Sequence, residues 1–240
     1  MTRFVFKPYK NGLSGLGLVK QKLKDLGHKV LEIKVVGSRY KKKKEDLTID
    51  WGVSTNKGQQ YLAFTKARVS HAHWSSLKDE AKFWIDNGNK VVCRTKLNGH
   101  GGNGIVVAKT IEELVDAPLY TVYVPKKREF RVHLIVIGDN YETYVSEKKQ
   151  RLEGKRPEGN EKYIRNHENG WVFCKNVGDV PQCVLDESYK AVLALGYKFG
   201  AIDVGYHPKT GACVYEVNSA PGVDNTTAEW YAEQFSRLGV

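Results

Sequence analysis

Three oxygen-bearing side chains, Asp203, Glu216 and Asn218, are spaced so that they can share one ion. They lie on two short β-branched runs, 201–206 and 212–218, around the turn signal Pro208-Lys209-Thr210-Gly211, which reads as a β-hairpin. With 208–211 as the loop and His207 opposite Ala212, Ile202 faces Val217, Val204 faces Tyr215 and Tyr206 faces Cys213 on an apolar side. The other side pairs Ala201 with Asn218, Asp203 with Glu216, and Gly205 with Val214. Like charges roughly 5 Å apart across a ladder are destabilising. A divalent cation removes that cost, and oxygen-only ligands of this kind suit Mg²⁺ shared with phosphate oxygens. Two tolerated acids on a solvated face is the other reading, and a bulge would separate them.

The glycines supply a second piece of chemistry. Lys90–Arg94 and Ile105–Ala108 read as strands, and the segment between them holds Gly99, Gly101, Gly102 and Gly104. Such a segment lets backbone N–H groups approach phosphate oxygens closely. Gly99-xxxx-Gly104 is followed by Ile-Val, so it is not a Walker A loop. A strand rather than a helix follows, so it is not a dinucleotide fingerprint either. A mobile flap over phosphates fits best, with a plain flexible hairpin tip as the alternative.

These groups need elements to position them. Arg3–Lys7, a helix from Ser14 to Leu26 with Leu16, Val19, Leu23 and Leu26 on one face, and Lys29–Val35 form a small β-α-β piece. The basic run 39–44 follows as an exposed loop, then a strand over Thr48–Gly52. Ser54, Thr55 or Asn56 caps a helix over Lys57–Lys66, and Ser76 opens one that buries Leu77, Ala81, Trp84 and Ile85. His71 and His73, two residues apart with no third ligand, read as loop rather than metal site. Thr110 and Glu113 form a capping box for a short helix to Ala117. Strands follow at Leu119–Val124, Glu129–Ile137, Tyr141–Glu147 and Trp171–Cys174, with a polar loop over 150–169. Val184–Leu195 is a helix, and a second capping box at Thr226 and Glu229 opens the last one, to about Leu238.

The chain has 240 residues and a net charge of +11, which suits a polyanionic ligand or partner: nucleotide, nucleic acid or acidic peptide. No apolar run approaches a membrane span and no signal-peptide h-region is evident. The four cysteines lack metal spacing and read as free thiols in a reducing compartment, so the expected location is cytoplasmic. There is no GxSxG elbow.

The ordered set of lysine, glycine flap, hinge strand, acid-x-arginine, Arg-Asn, Asp and Glu-x-Asn-x-x-Pro-Gly, from about Trp51 to Gly222, resembles the ATP-grasp superfamily. The nearest flavour is the ribosomal-protein glutamate ligase type, with glutathione synthetases and D-alanine:D-alanine ligases more distant. The resemblance implies an α+β ATP-grasp fold whose two subdomains clasp ATP. A reduced N-terminal piece would occupy 1–50 and the ATP-grasp domain 51–240, with a flap over 75–125 and a metal platform over 126–240. Carried over by position, Lys57 touches phosphate, and the backbone of Val122, Tyr123 and Val124 binds adenine. Glu129 takes the ribose hydroxyls. Arg131, Arg165 and Asn166 lie by the transferred phosphoryl and the carboxylate substrate. Asp203, Glu216 and Asn218 hold Mg²⁺, two ions by resemblance. The flap glycines 101, 102 and 104 would cradle phosphate. The family's flap lysine is Arg94 here, with Lys96 as the other candidate; an arginine holds phosphate as a rigid fork.

The implied activity is ATP-dependent ligation of a carboxylate to an amine through an acyl phosphate. The two substrates are a small molecule, peptide or protein-linked group, and no membrane is involved. One rival keeps the fold but phosphorylates a hydroxyl. Another is a nucleic-acid module using the basic surface, though few aromatics interleave its Lys/Arg runs.

Overall fold

The structure, a computed structural model, describes residues 2–7, 15–33, 40–52, 55–99, 101–151, 158–159 and 163–238. Ser14, Lys34, Val35, Arg39, Ser54, His100 and most of 152–162, on which expectations above fall, lie outside the described residues. Among the described residues no helix is long and apolar enough to cross a membrane, and all four cysteines are free.

A five-stranded antiparallel sheet forms the centre, in the order β10-β9-β8-β11-β12. Its strands are β8 (Arg128–Ile137), β9 (Asn140–Gln150), β10 (Trp171–Cys174), β11 (Phe199–His207) and β12 (Gly211–Asn218). Side chains alternate between its faces. Phe130, Val132, Leu134, Ile202, Val204 and Val217 point one way, into a core closed by Phe64 of α2 (Lys57–Ala67) and Val184, Ala191 and Val192 of α4 (Gln182–Ala194). Asn56 starts α2 with a capping box to Gln59, so it is the capping residue of the three candidates.

Among the described residues, apolar elements cover the opposite face at one end. There Ile135 and Phe199 join Trp51, Phe4 and Phe6 of β1 (Arg3–Phe6), the inner face of α1 (Leu16–Asp25), and Tyr231 and Phe235 of α5 (Asn225–Leu238). The N-terminal strands form a parallel sheet, β2-β1-β3, with β2 at Lys29–Glu32 and β3 at Asp46–Ile49. The strand expected at Thr48–Gly52 thus begins and ends earlier. Leu16, Val19 and Leu23 are buried as the helical period requires, but Leu26 falls past the last turn and is 51% exposed. Fully burying side chains such as Phe4, Phe6 and Phe235 contributes roughly 1.5–3 kcal/mol each.

A third sheet, β4-β7-β5-β6, comprises β4 (Trp74–Ser75), β5 (Val91–Arg94), β6 (Ile105–Ala108) and β7 (Leu119–Val122). It packs on Ala81, Trp84 and Ile85 of α3 (Lys78–Asp86); Leu77 precedes that helix and points outward. Residues 110–117, expected to be helical, form turns instead. Glu113 accepts from the N–H of Lys109, one residue before the expected cap, and a stretch this short ahead of Pro118 does not repay helix nucleation. The last helix also differs from expectation. Asp224, not Thr226, caps the helix by accepting the N–H and hydroxyl of Thr227, so α5 starts two residues earlier.

Candidate active site

The central hairpin holds its expected register where the acids lie. Ala201 pairs with Asn218, Ile202 with Val217 and Asp203 with Glu216. A bulge at Tyr215 then shifts the ladder, so Val204 meets Val214, Gly205 meets Cys213, Tyr206 meets Ala212 and His207 meets Gly211. The expected pairs Val204–Tyr215, Gly205–Val214 and Tyr206–Cys213 do not form, and the loop is one residue shorter. Gly211, at φ 78°, takes the left-handed position that such a three-residue loop requires. The bulge has a visible cause. The phenol of Tyr215 occupies the space where any side chain at residue 205 would stand, and only glycine leaves it free. One extra residue then turns Val214 and Ala212 into the core and Tyr215 onto the open face.

The open end of that face is a grid of charges. One row runs Glu216, Asp203, Arg131, Ser146 across four strands, each directly opposite the next. In the next row Glu129 lies opposite Gly205, and Lys148 opposite Phe173. Signs alternate except at Asp203–Glu216, which is where negative charge accumulates.

Each acid has its own cation. Arg131 grips Asp203 with two hydrogen bonds, Nε to Oδ1 at 2.7 Å and Nη2 to Oδ2 at 2.8 Å. Lys57, at the start of α2, donates to Glu216 at 2.8 Å and to the carbonyl of Gly99 at 3.0 Å. Lys148 donates to Glu129 at 2.6 Å and reaches Asp203 at 3.4 Å, while Lys126 meets Glu129 at 2.9 Å. Asn218 Nδ2 donates to Glu216 at 3.3 Å. Burial alone would raise the pKa of all three carboxyls, but neighbouring cations outweigh it. Arg131 and Lys148 hold Asp203 far below the usual carboxylate range, Lys57 lowers Glu216, and Lys126 and Lys148 lower Glu129. All three are therefore ionised at neutral pH.

This grid floors a cleft of about 990 Å³. Its lining brings together Lys57, Arg94, Lys96, Gly101, Gly102, the stretch 122–124, Glu129, Arg131, Arg165, Asn166, Asp203, Glu216 and Asn218. Gly104 stands apart at the base of the glycine loop, where its carbonyl accepts from Thr95 N at 2.8 Å. The loop itself rests on residues from the far wall. Asn166 Nδ2 donates to Gly101 O at 2.7 Å, and Ile164 fills the space a side chain at Gly102 would need. Arg165 lies over the Trp171 ring at 4.3 Å and reaches Lys126 O at 3.3 Å and Glu129 at 3.8 Å. Arg94 has a buried Nε with no hydrogen-bond partner among the described residues, whereas Lys96 Nζ reaches Asn103 Oδ1 at 3.3 Å on the exposed loop. Two lysines of the cleft escaped the sequence reading, Lys126 and Lys148. Lys148 was missed because β9 runs on to Gln150, three residues past the expected end at Glu147. Strand parity gives the missing signal, since Lys148 shares a face with Ser146, the partner of Arg131.

The donor chemistry accommodates a hard divalent cation. Asp203 and Glu216 stand opposed and ionised, with the Asn218 amide one step along. Among the described residues no group of three His, Cys, Asp or Glu side chains gathers, so further ligands would come from a bound substrate and water.

No protein-family model and no curated protein sequence matches the chain. Solved structures do. D-alanyl-alanine synthetase A from Vibrio cholerae is 11% identical with a TM-score of 0.65, over 99% of this chain and 97% of that one. A RiPP-associated ATP-grasp ligase from Chryseobacterium gregarium, solved with ADP and a leader and core peptide, is 12% identical with a TM-score of 0.61, over 99% and 97%. A macrocyclase from Microcystis aeruginosa, bound with its precursor peptide, is 9% identical with a TM-score of 0.59, over 97% and 99%. Along nearly its whole length, this chain has the ATP-grasp fold.

Proposed function

We propose that this protein is an ATP-dependent ligase that joins a carboxylate to an amine through an acyl phosphate, releasing ADP and phosphate. The observation that carries the proposal is the opposed, ionised pair Asp203–Glu216 on a cation-rich cleft floor. Transferring a phosphoryl group needs its spread negative charge stabilised, and little else from the protein. Asp203, Glu216 and Asn218 would hold Mg²⁺, which supplies charge neutralisation at the phosphate oxygens when bound.

The chain's own residues have distinct tasks. The N–H groups of Val122 and Tyr123 go to His73 O at 2.9 Å and Lys90 O at 2.8 Å. That leaves the N–H of Val124 and the neighbouring carbonyls to read the adenine edge. Glu129 takes the ribose hydroxyls. Lys57, Lys148 and Arg94 hold phosphate, Arg94 in preference to Lys96 because its buried Nε lacks a partner among the described residues and an anion would supply one. Arg131, Arg165 and Asn166 lie by the transferred phosphoryl, toward which they orient the carboxylate. Its oxygen attacks the γ-phosphorus, the bond to the ADP oxygen breaks, and an acyl phosphate forms. The amine then attacks the acyl carbon, loses a proton and expels phosphate.

Two structural neighbours were solved with peptides, and a peptide-borne carboxylate or amine is the substrate class we favour. The finer likeness, to the ribosomal-protein glutamate ligase type, rests on motif order. In the test, protein is incubated with Mg²⁺-ATP and pools of carboxylates and amines, amino acids and acidic peptides among them. ADP and phosphate should appear in equal amounts and only with a carboxylate present. Oxygen-18 placed in that carboxylate should emerge in phosphate, and hydroxylamine should give a hydroxamate. AMP with pyrophosphate would refute the mechanism, and ADP with a stable phosphorylated alcohol would make the protein a kinase.

A further inference from the structure

Arg131 and Lys148 face a competing demand. Both are held by Asp203, the carboxylate that the proposed function assigns to a divalent cation. When that cation takes part of the charge on Asp203, both grips weaken. Something indifferent to the metal must then keep the two cations aimed at the phosphoryl path.

β10 supplies it. Phe173 stands directly opposite Lys148 in the ladder, and the Lys148 ammonium is 5.4 Å from the centre of its ring. The Arg131 guanidinium is 4.5 Å from the same ring, while its Nε and Nη2 point to Asp203. Nη1 takes no part in that pair. Two residues earlier on the same face, Trp171 holds Arg165 at 4.3 Å. An aromatic face attracts cations through its quadrupole and does not compete for the metal. Phe173 is 44% exposed and belongs to none of the hydrophobic clusters among the described residues, so core packing does not account for it.

We infer that Phe173 is a positioning residue that holds Arg131 and Lys148 on the phosphate path, with Trp171 doing the same for Arg165. This rests on the nucleotide reading above. It is tested on the full chain with three replacements of Phe173. Phe173→Leu keeps bulk and removes the ring, Phe173→Tyr keeps the ring, and a trifluorinated phenylalanine keeps the shape while draining the ring face of charge. ADP binding with Mg²⁺ is measured by calorimetry, alongside the thermal midpoint and, with a turnover substrate, kcat and KM.

The leucine and trifluoro variants should bind ADP about fivefold to tenfold more weakly, a loss of cation–π size. The tyrosine variant should stay within about twofold, and all midpoints should match wild type. With substrate, kcat should fall more than the carboxylate KM rises. If wild type binds ADP and the leucine and trifluoro variants bind it equally well, the inference is wrong while the nucleotide reading stands. A trifluoro variant like wild type beside a weak leucine variant points to shape alone and also overturns it. A wild type that binds no ADP overturns the nucleotide reading and this inference together.

Discussion

Glu216 and Asp203 differ in what they lose on neutralisation. Glu216→Gln releases Lys57, which keeps a second partner in the Gly99 carbonyl. Asp203→Asn leaves Arg131 with no carboxylate in the pair it now forms. Both variants are expected to fold and to lose at least about tenfold in Mg²⁺-dependent ADP formation. Asp203→Asn should also lower the unfolding midpoint more, because a half-buried guanidinium that loses its carboxylate is costly. Full activity in Glu216→Gln would rule out its metal role. His133 offers a test free of catalysis. It is buried between the site and α5, its Nδ1 lies 3.1 Å from Tyr231 Oη, and burial with the charge of Arg131 pushes its pKa down to about 3. The folded pKa lies below the unfolded value of 6.5, so this contribution is complete above pH 6.5 and fades as pH falls toward 3. Unfolding free energy should drop by about 1.4 kcal/mol per pH unit below 6.5 from this group, and His133→Leu should lack that slope. At this scale, types and parity made the acids legible: Asp203 and Glu216 face each other as strand alternation demands. Lys148 was hidden because the strand reading stopped at Glu147, short of the parity that turns it inward, and Lys126 because it lies in a lysine-rich loop where sequence does not mark which cation turns inward.

At the level of elements, the glycine loop and the bulge carry sharp expectations. A side chain at residue 102 would meet Ile164, and the backbone there sits at φ 89°. Gly102→Ala should therefore weaken nucleotide turnover several-fold with little loss of stability. Adding Ile164→Ala should restore only part of it, because the steric conflict goes and the strained φ stays. Complete rescue, or none, would contradict that division. Protease cutting in 96–104 should slow with Mg²⁺-ADP bound, and equal rates would count against a loop that closes over phosphate. Most strands were readable from alternation and turn residues, including both strands that flank the glycines. The bulge was not, since it depends on Tyr215 fitting over Gly205, a match between residues on different strands. The stretch 110–117 misled for the opposite reason: its capping signal is local, while a stretch this short ahead of Pro118 does not repay helix nucleation.

For the whole molecule, the +11 charge has a focus. Seven lysines and arginines line the cleft against three acids, so it attracts anions before contact. The association rate of ATP, followed by stopped flow, should fall several-fold from low to roughly 0.2 M salt, with a much smaller change in the dissociation rate. A salt-independent association rate would mean that the field does not steer. The shared core of β1, α1, Trp51 and α5 has a different consequence, one that concerns the order of synthesis. Phe6 and Phe235 touch ring to ring, yet nearly the whole chain is made between them. The strands β1 to β3 emerge long before α5 and stay without Tyr231 and Phe235 until α5 has left the ribosome. Until then their apolar side chains are half covered, a form open to chaperones and to aggregation. β1 and α1, made long before α5, are therefore among the last elements to be secured.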